Sequence, residues 1–149
     1  MKTRFTFLVL MIVTLGSCML KPIVTTYNYQ QHRNDDVSLQ QLGGGKVLFY
    51  NAANILHKMD NTARLNMWID DLPMGQFRPG EYAIMRLSKG EHIVKLLHVD
   101  VFTFRSTHSI VVNDDTKVIC LKPMAMDNLC VAKDELPHNF QKYKYVSER

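Results

Sequence analysis

The stretch Arg64-Leu65-Asn66-Met67-Trp68-Ile69-Asp70 decides the fold class. Leu65, Met67 and Ile69 fall on one face and Asn66, Trp68 and Asp70 on the other, the period-two alternation of a half-buried strand. Turn residues Asp70-Asp71-Leu72-Pro73 close it. Outward from there, 74–77 reads as a short strand, Arg78-Pro79-Gly80 as a turn and 82–87 as the next strand. Ser88-Lys89-Gly90 then reverses the chain into the longest apolar segment, 91–104. Strands at 106–112 and 117–121 flank the turn Asn113-Asp114-Asp115-Thr116, and 128–132 adds another. Upstream, 47–50 is a first strand. Residues 52–62, with Ala52, Ala53, Ile55, Leu56 and Met59, carry a weak one-sided pattern that fits a short helix or a loop covering a strand. No helix long enough for a βαβ crossover falls between the strands. The expectation is therefore all-β: an antiparallel β-sandwich of about seven strands over 46–132, with a small open barrel as the alternative closure.

Composition agrees. The chain has 149 residues, 46% hydrophobic and 21% charged, with 7 Gly and 5 Pro, which suits one domain with one core. That excludes global disorder and collagen-like structure, and 3 Cys are too few for a disulfide-dense scaffold. The net charge of +4 includes Lys2 and Arg4, and without them it falls to about +2, a weak argument for nucleic acid.

Those two basic residues open a processing signal. They precede an apolar run from Phe5 to Leu15 and the small residues Gly16 and Ser17, the layout of a secretory leader. As a membrane span, residues 5–20 would reach roughly 24 Å against about 30 Å of hydrocarbon, too short to cross comfortably. Leu15-Gly16-Ser17-Cys18 resembles the lipobox of bacterial lipoproteins. The resemblance implies attachment of diacylglycerol to the Cys18 thiol, cleavage before Cys18, and acylation of the new amino group with a chain such as palmitate. Two or more chains would hold the protein stably in a bilayer. Met19 occupies the position where an Asp retains such proteins in the inner membrane. The expected address is thus the outer membrane facing the periplasm, or the cell membrane where there is only one. Residues 1–17 are read as the signal peptide and 18–45 as the lipidated N-terminus and a flexible tether ending in Gly43-Gly44-Gly45, roughly 30 Å long as a coil. Gly43 to Lys46 lacks the spacing of a phosphate-binding loop.

A second resemblance covers about residues 46–122. Trp68-Ile69-Asp70-Asp71, Phe77-Arg78-Pro79-Gly80-Glu81-Tyr82, Leu87-Ser88-Lys89-Gly90-Glu91-His92-Ile93-Val94, Ile110-Val111-Val112 and Val118-Ile119-Cys120-Leu121 are similar to the PEGA-type β-sandwich and to uncharacterised bacterial lipoprotein domains like it. Asp71 replaces that pattern's turn glycine and Lys89 its loop proline. The resemblance implies a fold and says almost nothing about activity.

Candidate chemistry is sparse. Cys120 and Cys130, an even pair in an oxidising compartment, are candidates for a disulfide. His92 and His98 share a strand face but lie roughly 20 Å apart, too far for one ion. If the hairpin folds near Thr103, His98 and His108 face each other and form a weak candidate metal pair without a firm third ligand. A cross-strand surface pair is the plainer reading, and no cofactor is expected. No hydrolase or metalloprotease signature is present, so catalysis is not expected, and a small periplasmic hydrolase is the remote alternative. Trp68, on the polar face of its strand, is either a contact for a partner or sugar ring or is buried under 52–62. Tyr143 and Tyr145 lie in a basic-aromatic tail, 133–149, whose pattern suits single-stranded nucleic acid. In the periplasm that partner is absent, so the tail reads as an edge strand or docking arm. The functional expectation is a non-catalytic envelope lipoprotein that binds or supports another envelope protein. Glycan or peptidoglycan binding through Trp68, Tyr143 and Tyr145 is the alternative.

Overall fold

The alternation at 64–70 recurs along the chain and builds two sheets. In the computed structural model, which describes residues 20–29, 36–54 and 62–146, β1 (Lys46–Asn51), β4 (Glu81–Arg86), β7 (Val118–Pro123), β8 (Asn128–Lys133) and β9 (Lys144–Tyr145) form one sheet, in the order β8-β7-β1-β4-β9. The other contains β2 (Leu65–Ile69), β3 (Leu72–Phe77), β5 (Gly90–Val99) and β6 (Thr103–Val112), in the order β3-β2-β5-β6. Residues 1–17, read above as a signal peptide, Cys18, residues 30–35 of the expected tether and residues 55–61 of the 52–62 segment lie outside the described residues.

Among the described residues the architecture is an all-β sandwich of nine strands. The four-stranded sheet is antiparallel throughout. The five-stranded sheet is mixed, a departure from the antiparallel expectation. β7 enters from the opposite sheet and runs parallel to β1, and β9 is carried back by residues 134–143 to run parallel to β4.

Strand alternation sends Val47, Phe49, Ala83, Met85, Ile119 and Leu121 to one face of the five-stranded sheet. Opposite them lie Leu65, Met67, Ile69, Val94, Leu96, Ile110 and Val112, and all thirteen are buried. Apart from Ala83, each such side chain stabilises the fold by about 1.5–3 kcal/mol. Asn51 joins the sheets: its Nδ2 donates to the carbonyls of Ala63 and Phe77 at 2.8 and 3.0 Å.

The five-stranded sheet is covered on its other face too, by the tail. Tyr82 packs against Phe140 and Tyr145 at ring distances of 4.8 and 5.2 Å, and Tyr50 against Tyr143 at 5.6 Å. Lys144 N–H donates to the Gly80 carbonyl and Val146 N–H to that of Tyr82. The tail is thus the edge strand β9 and a lid of aromatic rings.

Segment 20–29 overturns the idea of a free tether. Leu20 is buried. Asn66 Nδ2 donates to the Lys21 carbonyl at 2.9 Å, and Gln76 Nε2 to that of Leu20 at 3.1 Å. Thr25 donates its hydroxyl to the Pro73 carbonyl, Tyr29 donates to the Met74 carbonyl, and Tyr27 accepts from Arg86 N–H. A free tether keeps its polar groups in water, whereas this segment binds two of its carbonyls to side chains of β2 and β3 and three of its hydroxyls to the backbone of β3 and β4. Gly43-Gly44-Gly45 is also fixed, with all three φ positive. Gly43 exchanges hydrogen bonds with Lys46, Gly44 N–H donates to Asp114 O, and Gly45 O accepts from Leu87 N–H. A Cβ on Gly43 would sit 2.5 Å from the Asp114 carbonyl oxygen. The glycines serve close backbone approach and not flexibility.

Asp70 and Asp71 both have positive φ, 50° and 66°. That is the type I′ geometry of a two-residue hairpin, in which Asp71 occupies the position that favours glycine.

Candidate functional site

Four-stranded sheets of this kind have an outer face, and here Trp68 is on it. Trp68 pairs with Lys95, Lys95 with Thr107, and Leu97 with Arg105. These residues line a shallow groove of about 290 Å³ that also touches Asp71. Lys95 Nζ reaches Asp71 Oδ1 at 2.5 Å, so the groove is amphipathic: an indole wall, one paired cation and Arg105 at its margin. Trp68 is half-buried, and the segment 20–29 covers the neighbouring Asn66 and Gln76. Beside the groove runs β6, a ten-residue strand that pairs only with β5 among the described strands. Its Thr103, Arg105, Thr107, Ser109 and Val111 are exposed.

Tyr143 and Tyr145 are not part of this face. They pack on the far side of the opposite sheet, Tyr145 is buried, and burial pushes its hydroxyl up to about 12. Burial and the nearby Cys120 raise Tyr143 too. The expected contact surface of Trp68 with the tail tyrosines is therefore corrected: the two lie on opposite outer faces, and Tyr145 has no surface to offer.

The cysteine and histidine pairings fail on register. Cys120 pairs with Val131 and Cys130 with Leu121, so the two cysteines are one residue out of step and their side chains leave opposite faces of the sheet. Both are free and buried, and burial with the neighbouring Cys120 pushes the Cys130 thiol up to about 12. The expected bridge does not form. The β5–β6 hairpin turns at 100–102, not near Thr103, so His98 pairs with Phe104 and His108 with Val94. His98 and His108 are then roughly 13 Å apart along the sheet, beyond any shared ion. His98 instead stacks on Phe104 at 4.9 Å and shares a 2.7 Å hydrogen bond between its Nδ1 and Asn128 Oδ1. His108 Nε2 meets Ser106 Oγ at 2.9 Å. Among the described residues no group of three or more His, Cys, Asp or Glu could hold a metal.

One constellation escaped the sequence reading. His92 Nδ1 lies 2.6 Å from Asp70 Oδ2, and its Nε2 lies 2.8 Å from the Ser88 carbonyl and 3.4 Å from the Ser88 hydroxyl. These are the residue types of a nucleophilic triad. The shorter contact decides what they do. A carbonyl facing Nε2 requires a proton there, so this nitrogen has no lone pair with which to take one from Ser88. Asp70 in turn accepts from Ile93 N–H at 2.9 Å. That amide first, and His92 second, hold the Asp70 carboxyl below its usual range. Burial opposes the charge on His92, but the Ser88 carbonyl and Asp70 outweigh it and raise its pKa. The arrangement clamps two hairpins together.

A cavity of about 360 Å³ lies at the opposite end of the sandwich, lined in part by His98, Asp100, Lys122 and Met124. Comparison with protein-family models, with curated proteins and with solved structures finds no match to this chain.

Proposed function

We propose that the chain is a lipid-anchored envelope protein of the outer membrane, facing the periplasm, whose PEGA-like sandwich works by binding another envelope protein and not by catalysis. The address rests on Leu15-Gly16-Ser17-Cys18 behind a basic and apolar leader. The observation that carries the binding reading is β6: ten residues long, hydrogen-bonded to β5 alone among the described strands, with β8 of the other sheet packed near it, and flanked by the Trp68 groove. An edge strand offers unpaired backbone groups to an added strand, and alternate side chains of that strand would lie over the exposed Arg105 and Thr107.

A photo-crosslinking residue at Ser109, in membranes of the producing cell, should capture a discrete protein partner, and one at the exposed Lys142, in the tail on the other sheet's outer face, should not. Equal labelling at both positions, or none at Ser109, contradicts the reading. The glycan alternative draws on Trp68 alone, and it predicts retention on peptidoglycan sacculi that is lost in Trp68→Ala. Mass spectrometry of the membrane-extracted protein should find an acylated N-terminal Cys18. A bare Cys18 thiol or an intact Met1 peptide would remove the address.

A further inference from the structure

The described chain enters the sandwich at Leu20, and Leu20 is held at a defined place. Its carbonyl is bound by Gln76 and that of Lys21 by Asn66, and Asn66 pairs with Leu97, two residues before the end of β5. The N-terminal segment therefore emerges at the end of the sandwich where the β5–β6 hairpin turns. Only Met19 separates Leu20 from Cys18, and two residue steps reach no more than about 7 Å.

That same end carries exposed apolar tips. Val101 and Phe102 in the β5–β6 turn are 78% and 69% exposed, and Met124 and Met126 in the β7–β8 turn are 47% and 85% exposed. The two hairpins brace one another: Phe102 meets Phe104 at 6.5 Å, Phe104 stacks on His98, and His98 bonds to Asn128 at the start of β8. Of the other large exposed apolar residues, Leu72 flanks the Asp70-Asp71 turn at the opposite end as a single apolar side chain, and Val24, Ile93 and Val111 lie along strands or the N-terminal segment. Turns favour Gly, Asn, Asp and Ser, so phenylalanine and methionine at two adjoining tips call for a non-aqueous neighbour.

We propose that these two tips rest in the interfacial layer of the bilayer that holds the acyl chains of Cys18, so that the domain stands directly on the membrane. The inference rests on the lipoprotein reading. The anchor makes tip contact intramolecular, so insertion too weak to recruit a free protein suffices here. Asp100, Lys122 and Asp127 flank the tips and keep the contact shallow, since a charge resists entry into hydrocarbon.

The test uses the full processed protein, extracted from membranes and reconstituted into phosphatidylethanolamine/phosphatidylglycerol vesicles containing lipid brominated in the acyl chains. Trp68 is the single native tryptophan, and two reporters are compared with it: Trp68→Phe/Phe102→Trp and Trp68→Phe/Met126→Trp. Flotation with the vesicles is measured first. Protein that floats should lose roughly half its emission or more at positions 102 and 126, and little at Trp68, as expected for side chains at the headgroup and acyl boundary. Flotation without quenching at either position overturns the docking and leaves the anchor standing, with the tips then facing a protein. Failure to float removes the anchor, and the docking with it. Both sites are exposed, so neither reporter disturbs the core.

Discussion

The two ends of the sandwich are built differently. At one end the loops are polar and tied: Asp70 to His92 and Ile93, Asp71 to Lys95, Lys89 to Asp114 at 2.7 Å, and the glycine run to Asp114 and Leu87. At the other, Val101, Phe102, Met124 and Met126 stand in the open above an interior held by Asn51 and by the His98–Asn128 bond. The first end satisfies its own polar groups. The second is braced from within and leaves its apolar side chains for something else. The lesson is that exposure of apolar residues says most where the backbone beneath them is firmly held.

The largest effect should come from the interior brace. Asn51→Ala removes the donor to Ala63 and Phe77 and the acceptor for Ala53 N–H. Leaving such buried groups unpaired should lower the unfolding free energy by about 3 kcal/mol in urea titration. A loss below about 1 kcal/mol would mean that the sheets are not joined there. Next is Gly43→Ala at the polar end, where φ is +101° and the Asp114 carbonyl is in the way. We expect it to cost about 1–3 kcal/mol, visible as a lower midpoint.

Asp70→Asn sharpens the contrast through pH, at about 1 kcal/mol because Asp70 is half-exposed. His92 is held above its ordinary value, so its contribution is full below about 6.5 and fades as pH rises through the folded value. Asp70 is held below its own, so its contribution is full above about 3.9 and fades as pH falls through the folded value. Asp70→Asn should therefore cost most between those limits, and a loss that is constant up to pH 9 would contradict the clamp. The smallest effect on stability should be that of Phe102→Ser with Met126→Ser, within about 0.5 kcal/mol of the parent. A larger loss by thermal melting would show that the tips pack onto the protein itself.

Much of the fold was legible because strands carry a local signal. The alternation of Leu65, Met67 and Ile69, the Asp70-Asp71 turn and the position of β8 are all written in neighbouring residues. Pairing was less so. A four-step shift in the hairpin register separates His98 from His108, and a one-step offset separates Cys120 from Cys130, because register depends on where a turn closes. The same limit hid the parallel β1–β7 pair and the His92–Asp70 clamp, whose members are 22 residues apart. The polar segment 20–29 read as a tether because its partners, Asn66 and Gln76, belong to strands far along the chain. Val101-Phe102 fell inside 91–104, which reads as one strand segment, and Met124-Ala125-Met126 in the connection after Pro123, so the apolar tips carried no local turn signal.

Neutron reflectometry of the membrane-extracted protein on a supported bilayer measures the height of the sandwich above the lipid anchor proposed at Cys18. With segment 20–29 fastened to β3 and β4, the protein layer should begin at the headgroups with no hydrated gap. A water-filled gap of roughly 30 Å, the coil length of a free tether, or no bound layer at all, would contradict the account.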